Sequence, residues 1–178
     1  MITTETPAAE TPEPPAGQGG GVAHFHRELA SELFNHVLSL LDRDDRNCAE
    51  NDQMIHMAHA SRFHWELGGT AMNMALGEWQ CARVHIALAQ ADAGLYHAWR
   101  YLEHSENYGL GPFHVAQAHA ALSAGFAFTN PTEAAHHLAL AQEMKVHVED
   151  PEEQRYLGIE IALAESAPAR VAQTRGCC

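Results

Sequence analysis

One set of apolar positions returns 40 residues further along the chain in the same frame: Ala75, Trp79, Ala82 and Ile86 are matched by Val115, His119, Leu122 and Phe126. Gly94, Ala98 and Tyr101 are likewise matched by Ala134, Leu138 and Ala141, and one step backward reaches Met54, Ala58 and Ser61. Within each set the spacing is three or four, so its members share one face of a helix. A helix pair cannot bury such a face alone. A constant interval between pairs is the pattern of a stacked repeat, in which each hairpin covers its neighbour.

Local signals divide the chain into seven helices. Ala30, Phe34, Val37 and Leu41 line one face of the first, and the polar run from Asp42 to Asp52 reads as a loop. A second helix is expected from about Gln53 to Leu67, where Gly68 and Gly69 stop it, and Thr70 caps a third. Asp92 opens a fourth that ends near Gly109, and a fifth starts beside Pro112. Asn130-Pro131 and Asp150-Pro151 each pair an N-cap with a first-turn proline, which starts the sixth and seventh helices. The seventh is expected to run to about Ala167 and to dock through Tyr156, Ile159, Ile161 and Leu163, with Glu152, Glu153, Glu160 and Glu165 facing water. No segment alternates with period two. The expected fold is all-α, a solenoid of about three helical hairpins with a C-terminal capping helix. It occupies residues 22–168, between a Pro/Gly-rich arm at 1–21, expected to be disordered, and a flexible tail at 169–178 ending in Cys177 and Cys178.

Charge narrows the function classes. The 178 residues carry 10 Lys+Arg against 23 Asp+Glu, and a net charge of −13 with no basic cluster argues against nucleic acid as a partner. Amphipathic helices this poor in lysine argue against a membrane surface. The N-terminal run has neither the basic nor the apolar region of a leader, and the four cysteines lack the spacing of a disulfide framework. A cytoplasmic protein is therefore expected. The 14 histidines are the compositional oddity, numerous enough that protonating all of them would reverse the sign of the net charge.

The run from Ala87 to Glu103, ALAQADAGLYHAWRYLE, resembles the turn and second helix of a tetratricopeptide repeat. Gly94, Ala98 and Tyr101 fall where that family uses small or packing residues, as do Ala134, Leu138, Ala141 and Ala82, with His85 at a usually aromatic position. The segment His59 to His85 is similar to small bacterial proteins of tetratricopeptide-like type. The chain departs from the family in its longer interval and in having Ala89 where a glycine is usual. The resemblance implies a concave groove lined by the first helix of each hairpin, with Trp79, Arg83 and Ile86 facing it in one unit and His119, Ser123 and Phe126 in the next. An aromatic beside an arginine is an anchor for a peptide or a carboxylate, so the expected function is a non-enzymatic module that binds a protein or peptide partner, with no cofactor.

The histidines supply the alternative, a protein that binds copper or zinc. His56 and His59 lie three apart on one helix face. The 40-residue shift aligns His97 with His137, and His64 with His104 and Met144. Imidazoles and a thioether suit soft or borderline ions. Covalent catalysis is not expected: Cys81 reads as a buried structural thiol, and no glycine-rich phosphate cradle or paired carboxylates occur.

Overall fold

The computed structural model describes residues 18–174, with side chains from 20 to 167; most of the expected arm and the Cys177-Cys178 end lie outside the described residues. Among the described residues there are seven helices and no strand: α1 (Gln18–Leu41), α2 (Cys48–Gly68), α3 (Ala71–Ala87), α4 (Ala91–Asn107), α5 (Pro112–Phe126), α6 (Pro131–Lys145) and α7 (Pro151–Thr174). The protein is all-helical and consistent with a helical repeat.

Most helix starts follow from local chemistry. Thr70 and Asn73 form a reciprocal capping box on α3, and Asn130 Oδ1 accepts from the backbone N–H groups of Thr132 and Glu133 behind Pro131. Asp150 Oδ1 does the same for Glu152 and Glu153. Three boundaries differ from expectation, one being the end of α7, which runs to Thr174, past the expected Ala167 and into the expected tail. The loop expected across Asp42 to Asp52 is shorter, because Asn47 and Glu50 form a second capping box and α2 begins at Cys48. At the N-terminus, Gln18 to Gly21, expected within the arm, belong to α1.

The turn between α3 and α4 is held by two backbone bonds, Ala89 N–H to Ile86 O at 3.0 Å and Gln90 N–H to His85 O at 2.9 Å. They require a left-handed residue, and Ala89 adopts φ +59°. Beyond the turn, α3 and α4 approach closely at Gly94, where an added Cβ would stand 2.7 Å from Ile86 Cγ1.

Apolar packing runs the length of the stack in three clusters. The central one joins Trp79 and Ala82 of α3, Ala98 and Tyr101 of α4, and Ala118 and Leu122 of α5. Val37, Met54, Ala58, Cys81 and Val84 join the first two hairpins, and Ala116, Ala141, Leu157 and Ile161 join α5, α6 and α7. Residues matched by the 40-residue interval therefore do pack between helices: Gly94, Ala98, Tyr101 and Ala141 are buried, and Leu138 lies against the third cluster.

The last helix does more than cap the last hairpin. Tyr156 reaches the Trp79 ring at 6.5 Å between centroids, and Arg83 of α3 donates to the carboxylate of Glu160. Helix α7 thus lies over the inner face of the stack. Glu160, expected in water, is 5% exposed, while Ile159, expected to dock, is 47% exposed. The buried face is Leu157, Glu160, Ile161, Ala164 and Ala167.

Candidate metal centre

Helices α2, α3 and α4 bring four chemistry-bearing side chains together. One ligand atom each from His59, Cys81 and His97 lies within 4.8 Å of the others. His59 Nε2 stands 3.0 Å from His85 Nε2, and His59 Nδ1 stands 4.0 Å from Cys81 Sγ. The three imidazole centroids are mutually 5.1, 5.3 and 5.6 Å apart. Donors at ordinary zinc bond lengths and tetrahedral angles stand about 3.3–3.6 Å from one another; the 3.0 and 4.0 Å approaches are made by different nitrogens of the His59 ring, of which one ion takes one. Cys81 and His85 lie four apart on α3, which puts both on the face towards α2 and α4.

The outer nitrogens of two of the rings are held. His97 Nδ1 donates to Glu78 Oε2 at 2.7 Å, and His85 Nδ1 donates to the Gln90 Oε1 at 2.6 Å. Each bond turns Nε2, the other ring nitrogen, away from its partner, as in carboxylate–histidine–metal arrangements, and the His85 Nε2 is the atom that meets His59 Nε2. The α3–α4 turn at Ala89 is what brings Gln90 back to His85.

Glu78 is 3% exposed and also accepts from Arg62 Nε at 2.8 Å and Arg100 Nε at 3.2 Å. Burial alone would raise its pKa, but the bonds from His97 and Arg62 and the Arg62 charge outweigh it and hold the carboxyl at about 2. It is ionised throughout the physiological range. With both oxygens engaged, it is a poor general base.

His59 and His85 titrate below the ordinary imidazole range, because burial and neighbouring imidazoles disfavour the charged ring, so they present neutral, ligating nitrogens at neutral pH. Burial, helped by the Glu78 charge, pushes the Cys81 thiol up to about 12, which rules out a free nucleophilic thiolate at neutral pH. A bound cation reverses that balance, since a coordinating thiol gives up its proton.

The other histidines singled out in the sequence are distributed elsewhere. His56 is exposed on α2 and lines a shallow surface depression with Leu33 and Met57. His64 pairs with His26 of α1 at 2.7 Å, and His104 stacks on Tyr108 beside Arg100. His137 pairs with His119 at 3.0 Å and lies against Phe126 and Trp99, and Met144 packs on the third apolar cluster. Of the seven candidate ligands, His59 and His97 are the two that converge; Cys81 joins them within the same 4.8 Å, and His85 approaches His59. The signal for these two was the spacing of Cys81 and His85 on one helix, together with a tight turn that folds α4 back onto α3.

The candidate groove residues also separate. Trp79 is 3% exposed and packs between Phe34 and Tyr156, because α7 covers the inner face. Arg83 lies over the Trp79 ring at 5.4 Å and, with Ile86, lines a cavity against α7. His119 faces α6 through His137, and Ser123 is buried.

The sequence matches no protein-family model and no curated protein, and the fold matches no solved structure. No described helix is long and apolar enough to cross a membrane.

Proposed function

We propose that this is a metal-binding helical protein in which His59, Cys81, His85 and His97 hold one zinc or copper(I) ion. The observation that carries the reading is the convergence of His59, Cys81 and His97 within 4.8 Å on three different helices, with His85 Nε2 3.0 Å from His59 Nε2. Three imidazoles and one thiolate form a donor set suited to borderline and soft ions. Four protein donors make a closed shell of the structural kind, and neither Glu78 oxygen is free to activate a water. The function is therefore to hold the ion and to fasten α2 to the α3–α4 hairpin, not to turn over a substrate.

The alternative reading, a groove that binds a peptide, is weakened by the burial of Trp79, its aromatic anchor. Chelator-stripped protein, purified without a histidine tag, tests the metal reading by titration with Zn2+ and, anaerobically, with Cu+. The expected result is a saturable rise in melting temperature at one equivalent, abolished in both Cys81→Ser and His97→Gln. A rise that does not saturate at one equivalent, or that survives both substitutions, overturns it.

A further inference from the structure

A second site lies on the opposite side of α3 from the histidine cluster. Helix α7 closes over the inner face and leaves a cavity of about 540 Å³ between α3, α5, α7 and the α1–α2 loop. That is within the ~300–1,000 Å³ range of small-molecule sites. Its walls are Ile86, Phe128 and Leu163, and much of its remaining lining is alanine, including Ala120, Ala124 and Ala164. Methyl groups at these positions leave the space between the helices unfilled by the chain, and unfilled apolar volume destabilises a fold.

The polar groups of the cavity define the chemistry of an occupant. Glu160 accepts from Arg83 through Oε1. Arg83 gives Glu160 one of its N–H groups; a guanidinium has five. The charge inside is balanced, while hydrogen-bond donors remain. At the rim stand one acid, Asp44, and one base, Arg46, and Arg46 is occupied in capping the carbonyls of Leu40, Leu41 and Arg43.

The charges of the lining sum to zero, so a carboxylate would leave one negative charge uncompensated in apolar surroundings and an ammonium one positive charge. An uncharged acceptor satisfies both conditions. We propose that this cavity binds a small molecule with an aliphatic body and a neutral carbonyl head, a ketone, ester or lactone, whose oxygen accepts from Arg83. The proposal uses none of the histidine cluster and stands or falls apart from it.

Calorimetric titration of the full chain with 2-octanone, octanoate and octylamine tests it. The expected result is saturable 1:1 binding of 2-octanone, with octanoate and octylamine at least tenfold weaker. Arg83→Met is expected to weaken 2-octanone by tenfold or more. Because that change also strands Glu160, Ala124→Phe, which fills the cavity and leaves the ion pair in place, provides the second arm and is expected to abolish binding. Octanoate binding as tightly as the ketone, no saturable binding of the ketone, or undiminished binding in Ala124→Phe would each overturn the proposal.

Discussion

The Glu78 carboxylate and the His97 imidazole are joined at 2.7 Å through Nδ1, on two helices that meet in a tight turn. That bond fixes the tautomer of His97 and directs its remaining lone pair away from Glu78. Glu78→Gln keeps the shape but gives up the charge that holds the ring. On the metal reading it is expected to lower zinc affinity by about 10–100-fold. Competition against a chromophoric chelator measures this, and the melting temperature of metal-free protein separates it from a general loss of stability. Unchanged affinity in a folded Glu78→Gln would remove Glu78 from the role of orienting His97.

Ala89 stands at φ +59° between α3 and α4, in a conformation that costs a residue with a Cβ about 1–2 kcal/mol. Ala89→Gly removes that strain and adds back some freedom in the unfolded chain. A net gain of about 0.5–1 kcal/mol is expected, a rise of a few degrees in melting temperature. Chemical denaturation of both forms checks it, with an unchanged midpoint as the contrary result.

His119 is paired with His137 between α5 and α6, and burial, with His137 and His136 adding to it, pushes its pKa down to about 4. An unfolded imidazole titrates near ~6.5. Between those values the unfolded chain binds the extra proton, so this pair's contribution is present above about pH 6.5 and is lost as pH falls towards about 4. Solvent reaches part of the ring, so the loss from His119 is expected to stay within about 2 kcal/mol. His119→Gln should flatten stability against pH across that window. An unaltered slope in the variant would assign the acid sensitivity to other groups.

Much of the helical order was legible because it rests on neighbours in sequence. Asn130-Pro131 and Asp150-Pro151 start helices through their own side chains, whatever the rest of the chain does. The capping box of Asn47 and Glu50 is equally local, but it sits in a charged run that reads as loop. The face of α7 was harder. Ile159 and Ile161 lie about 200° apart around a helix, so only one can dock, and Ile161 is chosen by packing with Leu157. Glu160 is buried by an arginine 77 positions away, a partner no local pattern reveals.

The histidines follow the same division. His64 turns to His26 and His137 to His119, so histidines aligned by the 40-residue interval meet partners on the helix beside them and not one another. That is why the alignments of His97 with His137 and of His64 with His104 gave no cluster. The site is built instead across successive helices, where Cys81 and His85 on α3 meet His59 and His97 from either side.

The contact between Glu160 and Arg83 also bears on how such a chain can lengthen. An open array gains units freely, because each new pair meets only its neighbours. Here, a duplicated pair inserted ahead of α7 would carry Glu160 one place further from its arginine and leave both charges stranded. The number of helices between α3 and α7 is thus tied to a single ion pair between the middle of the chain and its last helix.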